Sequence, residues 1–258
     1  MIAVPALSVS ALAVFFAAVA YGTLAGLLLP RAAYRLCVPA EETWRSDCPR
    51  GHRLTGAAGG WLGAARCGAS PACGVLPAPG ARRCAVLTAL VCAVLAAGTG
   101  ARPELAVWLA LAPVGVLAAL VDVRVQRLPD VLTATMAAVA VAGLGLVALG
   151  GGGRYPGALL AALALLAFYA VLFLVNPAGM GLGDVKLAPA LGAALGWYGA
   201  WPVFAATMLA FTAGALYGLV LKARRPRADG AGTAAMIPFG PFMLAAAWLT
   251  VAVTAAGR

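Results

Sequence analysis

An all-α, polytopic integral-membrane helical bundle of about eight transmembrane helices is the fold the sequence predicts, on three observations. The chain is 64% hydrophobic and only 10% charged, with a mean hydropathy of +0.97, whereas soluble domains are closer to a quarter charged. Apolar runs long enough to cross a bilayer recur along the whole length. The basic residues fall in alternate loops between those runs, as they do in multi-pass proteins. Abundant alanine and glycine suit close helix packing in lipid.

The apolar segments lie near 4–29, 84–100, 104–121, 131–149, 157–175, 187–200, 202–221 and 235–255. The first has no basic stretch before it, and Arg31 and Arg35 follow it. That pattern points to an N-out first helix rather than a cleaved signal peptide. Alternating from an N-out start puts loops 30–83, 122–130, 176–186 and 222–234 inside. They carry eight, two, one and four Lys/Arg, which is fifteen of the eighteen. Only Arg102, Arg154 and Arg258 stay outside. The net charge of +10 therefore follows membrane topology and does not call for nucleic acid. It also suits a cytoplasmic leaflet or an anionic partner. Three regions result: a first transmembrane helix at 1–29, a cytoplasmic loop at 30–83, and a transmembrane domain at 84–258.

Loop 30–83 is the one sizeable soluble region and holds Cys37, Cys48, Cys67 and Cys73, with His52 nearby. On the cytoplasmic side structural disulfides are disfavoured and metal binding is the better reading. Cys48, His52, Cys67 and Cys73 supply a four-ligand set suited to zinc; a loop with unpaired thiols is the alternative. Cys84 and Cys92 sit in an apolar helix and read as buried packing residues.

Two aspartates carry the chemistry. Asp122 stands at the C-terminal end of an apolar helix, in Leu120-Val121-Asp122-Val123-Arg124. A carboxylate there opposes the helix dipole, so it has no obvious stabilising role. Asp130 follows Pro129 and opens the next apolar run, where it reads as an N-cap. Asp184 stands in Gly179-Met180-Gly181-Leu182-Gly183-Asp184-Val185-Lys186, a glycine-rich break between apolar segments. Helix capping is its bland reading. The functional reading is that Gly181 and Gly183 let an extended substrate approach the carboxylate. Ionisable groups at the edge of a bilayer core are costly and mark function by default. Two facing carboxylates share a proton: the ionised one deprotonates water and the protonated one polarises a scissile carbonyl. That chemistry needs no metal or other cofactor. Lys186 either tunes the pair or snorkels to the interface.

The chain resembles the type IV prepilin peptidases, membrane aspartic proteases with a GxGD motif. Gly181-Leu182-Gly183-Asp184 matches that motif, and Val185-Lys186-Leu187 and Leu191-Gly192-Ala193-Ala194-Leu195-Gly196-Trp197 follow in the family's manner. Asp122-Val123-Arg124 through Leu128-Pro129-Asp130 resembles the family's first aspartate region. Ile237-Pro238-Phe239-Gly240-Pro241-Phe242 resembles its last-helix motif. The resemblance implies that Asp122 and Asp184 are the catalytic pair. It also implies cleavage of the short basic leader of prepilins or pseudopilins at the cytoplasmic face of the plasma membrane. Many members then methylate the new N-terminus with S-adenosylmethionine. Bacterial bifunctional members carry two CxxC pairs in the first cytoplasmic loop, a ligand set of the kind that holds zinc. Here Cys48-Pro49-Arg50-Gly51-His52 lacks the second cysteine, and five residues separate Cys67 from Cys73. Asn176-Pro177-Ala178 stands where an acidic residue often precedes the glycine motif. Three rival functions remain: a GxGD protease with another membrane substrate, a proton-coupled transporter using the two acids as a relay, and an inactive pilus-assembly component.

Overall fold

The computed structural model describes residues 9–39, 42–69, 73–177, 179–224 and 237–258. The described chain is helical: α1 (Val9–Leu36), the single turn α2 (Ala57–Gly60), α3 (Ala81–Thr99), α4 (Leu105–Val125), α5 (Asp130–Leu149), α6 (Tyr155–Val175), α7 (Leu182–Gly196), α8 (Ala200–Arg224) and α9 (Gly240–Ala256). α1, α3, α4, α5, α6 and α8 are each long and apolar enough to cross a membrane; α9 is apolar but shorter. An all-helical, multi-pass membrane protein is thus the architecture. The starts of the apolar segments expected at 4 and 235, most of the basic loop at 222–234, and Ala178 lie outside the described residues.

The chain divides into two compact units. The first comprises residues 1–36, 44–117 and 251–258. Within it α1 crosses α3 at Gly22 and Gly26, where an added Cβ would lie 2.6–2.9 Å from atoms of Cys84, Ala85, Thr88, Ala89 and Cys92. Small residues four apart let two helix backbones approach in this way. Cys84 and Cys92 are fully buried there, as expected of packing residues. Arg102 closes the far end of α3. Its guanidinium donates to the carbonyls of Thr99, Gly98 and Ala255, the unsatisfied acceptors at helix C-termini.

The sequence places the end of the first helix at 29, but α1 continues through Pro30 to Leu36. Its last two turns organise the loop that follows. Arg31 donates to the carbonyls of Thr55 and Arg66. Arg35 lies 4.2 Å from the Trp61 ring centroid and donates to the Gly59 carbonyl. Tyr34 bonds the Asp47 carbonyl and packs on Cys48, Leu54, Ala65, Cys67 and Leu76. These basic residues, read from sequence as topology markers, therefore also build a small core.

The second unit comprises residues 37–43 and 118–250. Its centre is α7, whose residues from Leu187 to Gly196 are almost all buried. α7 presents Gly192 and Gly196 to Ala161, Ala162, Ala158 and Gly157 of α6, a second crossing made by small residues. Tyr169 of α6, Phe211 of α8 and Phe239 form an aromatic cluster, with Tyr169 and Phe211 stacked at 5.9 Å.

Candidate active site and candidate metal centre

Asp122 lies in the last turn of α4 and Asp184 in the first turn of α7, both within the second unit. Asp122 is 5% exposed and Asp184 6%, a level rare for carboxylates without partners. The hydrogen-bond partner of Asp122 comes from far along the chain: the Gly240 backbone N–H donates to Oδ2 at 3.1 Å. Gly240 is the first residue of α9, so the carboxylate meets the positive end of that helix. This contact supplies the stabilising role that the position of Asp122 on its own helix withholds.

Glycines set the approach of these elements. An added Cβ at Gly240 would lie 2.9 Å from Asp122 Oδ2 and 3.2 Å from Leu128 Cδ1. At Gly183 it would lie 2.7 Å from Leu128 Cβ. Leu128, buried between these two glycines, thus ties the Asp122 side of the site to the Asp184 side. Helix α7 begins at Leu182 with Gly181 as its N-cap residue. Gly183 and Asp184 accordingly belong to a helical turn rather than to the loop the glycines suggest, and the Asp184 N–H donates to the Gly181 carbonyl at 3.1 Å. The Gly181 backbone amide also faces the Asp184 carboxylate.

Two contributors were not assigned from sequence, and a third takes a different role from the one expected. Gly240 stood in a quoted motif without a role. Tyr169 is buried and packs on Phe239, the residue before Gly240; as one aromatic in an apolar helix it carries no sequence signal. Asp130 is the first residue of α5, and the N-cap position falls to Pro129. Its carboxylate instead takes the Lys186 ammonium at 2.7 Å. Lys186 therefore joins α7 to α5.

In the first unit, Cys48 Sγ lies 3.6 Å from His52 Nδ1, and Cys73 Sγ lies 3.1 Å from the same nitrogen. With Cys67, one ligand atom from each residue falls within 4.8 Å of all the others. Two turns achieve this. The Asp47–Arg53 bridge closes the turn presenting Cys48 and His52, and the Arg66–Val75 bridge closes the turn presenting Cys67 and Cys73. Gly51, at φ +78°, makes the first turn tight: the Cys48 N–H donates to the His52 carbonyl and the Gly51 N–H to the Cys48 carbonyl, each at 2.8 Å. Burial raises the Cys48 thiol, but the backbone N–H groups of Arg50 and His52, with the His52 and Cys67 side chains, outweigh it and bring it down to about 6. Burial and the neighbouring thiols push Cys73 up to about 11. Three thiols and one imidazole at this separation fit a tetrahedral Cys₃His zinc site.

Residues 105–219 match the model of the type IV leader peptidase family. Over 74 residues the chain is 45% identical to the prepilin leader peptidase/N-methyltransferase of Pseudomonas putida, covering 28% of this chain and 23% of that protein. Over 84 residues it is 37% identical to the protein of the same name from Aeromonas salmonicida strain A449, covering 33% of this chain and 26% of that protein. The aligned stretches thus span about a quarter of the length of these curated relatives. No solved structure matches the chain. The matched region contains both aspartates, and the resemblance drawn from the motifs is borne out.

Proposed function

We propose, on the premise that residues 105–219 belong to the type IV leader peptidase family, that this chain is an aspartic endopeptidase of the plasma membrane. It cuts the leader of type IV prepilins or pseudopilins at the cytoplasmic face, with Asp122 and Asp184 as the catalytic pair. One observation carries the reading: two nearly fully buried carboxylates from different helices, on either side of the buried Leu128, within the family-matched segment.

The chemistry follows from sharing one proton between them. The ionised carboxylate accepts a proton from water as the water oxygen attacks the scissile carbonyl carbon. The other carboxyl gives its proton to the carbonyl oxygen, forming a tetrahedral diol. Its collapse breaks the C–N bond: the leaving amine takes a proton from the carboxyl that accepted one from water, and a diol hydroxyl returns its proton to the other carboxylate as the C=O bond re-forms. Leader and mature protein separate with one water consumed, and the pair returns to its starting state. Gly240 N–H fixes the Asp122 carboxylate through this cycle, Gly181 leaves the substrate backbone room beside Asp184, and Gly183 lets Leu128 close the opposite side.

The substrate has a basic leader and an apolar stem held in the bilayer. The basic loops assigned to the cytoplasmic side by charge counting support that face as the place of cutting. Methylation of the new N-terminus with S-adenosylmethionine is part of the proposal, since the curated relatives are named N-methyltransferases. Zinc held by Cys48, His52, Cys67 and Cys73 would brace the loop between α1 and α3 and take no part in peptide cleavage. The division into a first helix, a soluble loop and a peptidase domain remains part of the same reading, with the first helix now running to Leu36.

Co-expression in membranes with pilin-like proteins encoded in the same genome tests it. Loss of the leader, read by mobility and N-terminal mass, is the expected result. Uncut leaders across several native pilins, with the enzyme well expressed, would transfer the assignment to another membrane substrate or to transport. A mass increment of one methyl on the processed N-terminus would establish the second activity.

A further inference from the structure

Within the second unit a groove of about 550 Å³ runs between α6 and α8. Leu160, Ala164 and Phe168 of α6 form one wall, and Val203, Phe204 and Met208 of α8 the other. Most of these side chains are exposed, so in a bilayer the groove opens to lipid. Its mouth is different. Arg154 lies there beside Gly199, at the start of α6 and just before α8. The first turns of both helices contain no acidic residue, and none lines the groove.

Arg154 contrasts with Arg102, another arginine assigned to the same membrane face. Arg102 is used up on carbonyls at helix ends and lies beside Glu104. Among the described residues no hydrogen bond or ion pair of the Arg154 guanidinium is found. The mouth is also at the end of α7 marked by Gly196, away from Asp184 at its start. From Arg154 to Phe168 the groove follows α6 for about 20 Å, enough to traverse the ~15 Å hydrocarbon depth of one leaflet.

We propose that this groove binds one anionic phospholipid, with its headgroup phosphate on the Arg154 guanidinium and an acyl chain lying between α6 and α8. The site is distinct from the acid pair and does not depend on the peptidase reading. Net negative charge is what the mouth selects. A zwitterionic headgroup would bring a cation with no carboxylate to receive it, whereas an anionic one meets an arginine and two helix N-termini.

Native mass spectrometry of the full chain in detergent tests the proposal. The probes are phosphatidylglycerol and phosphatidylcholine with identical acyl chains. One retained phosphatidylglycerol is expected, preferred over phosphatidylcholine about fivefold, the ratio one basic side chain gives toward an anionic headgroup. Arg154→Gln should bring the preference to about parity, and Arg154→Lys should keep most of it. Ala164→Trp, at an exposed position in the groove wall, should displace both lipids while the protein stays monodisperse. Equal retention of the two lipids by the unaltered chain, or a preference unchanged in Arg154→Gln, would mean unselective surface lipid and overturn the proposal. A dimer abolished by Ala164→Trp would give the groove to a second copy and overturn it as well.

Discussion

Asp122 and Asp184 are held by long helices, whereas Cys48, His52, Cys67 and Cys73 are held by two turns, each closed by a single bridge. The difference decides what each cluster can tolerate. The acid pair depends on backbone approach across the sequence: Gly240 to Asp122, and Gly183 to Leu128. An added methyl group there has nowhere to go, because helices packed on both sides cannot retreat cheaply. The Cys/His cluster depends on the ligand atoms themselves and on a small core beneath them, with Tyr34 and Leu54 at its centre. A changed spacing between ligands is absorbed by turn length, which is how His52 at i+4 and Cys73 six positions after Cys67 still converge. A rigid site is legible as a motif; a turn-built site survives loss of its motif.

The widest separation between the two clusters should appear in activity. Asp122→Asn and Asp184→Asn each keep the shape of the side chain and remove its ability to ionise. Leader cleavage should fall by about 10²–10⁴-fold, the usual contribution of a positioned acid or base, while expression and thermal stability change little. Cys48→Ser should leave cleavage within a few-fold. If the cysteine variant abolished cleavage as fully as the aspartate variants, with the protein still folded, the contrast between a reacting site and a bracing one would fail.

Gly240→Ala probes the rigid site without touching an acid. The new Cβ would press on Asp122 Oδ2 and on Leu128 and shift the carboxylate. A displacement approaching 1 Å costs on the order of 10²-fold in rate. Cleavage of a prepilin at saturating level is the readout, since a binding defect alone would be masked there. A Gly240→Ala enzyme with unchanged turnover would show that the α9 amide is structural only.

Metal removal probes the turn-built cluster. The purified chain should contain one zinc, lost on incubation with a strong chelator and reduced in Cys48→Ser and Cys73→Ser. Because thiols must lose protons to bind the metal, uptake should release protons. Loss of zinc should lower the melting temperature by several degrees and expose the 44–78 loop to protease, with cleavage of leaders retained. A metal-free preparation with an unchanged protease pattern would mean that Tyr34, Leu54 and Leu76 hold the loop unaided.

Much of this was readable in the chain. Apolar run length announced the membrane bundle, because a bilayer imposes length and composition on each span. The GxGD motif and the aspartate after the earlier helix announced the acid pair. What sequence missed lies in contacts with no local signature. The Gly240–Asp122 bond joins positions 118 apart and uses a backbone N–H, which every residue except proline carries. The end of α1 ran past 29 because Arg31, Tyr34 and Arg35, polar and therefore read as loop, hydrogen-bond to carbonyls of the following segment. The start of α7 ran earlier than 187, since glycine is a poor helix former that here serves close packing in the first turn.

The smallest expected effect concerns Asp130 and Lys186, 56 positions apart and joined at 2.7 Å. From sequence Asp130 was a cap and Lys186 either tuned the acids or snorkelled; the ion pair gives both a common role at the rim of the rigid site. Both side chains are substantially exposed, so the direct stabilisation is small, about 0–1 kcal/mol. Asp130→Asn and Lys186→Met should therefore each reduce cleavage by no more than about fivefold. The exchanged pair, Asp130→Lys with Lys186→Asp, should recover most of what either single reversal loses if joining α5 to α7 is the role. Should the exchanged pair be worse than both single reversals, the charge of Lys186 itself acts on Asp184 or on the substrate. The boundary of the rigid site would then move outward to include the lysine.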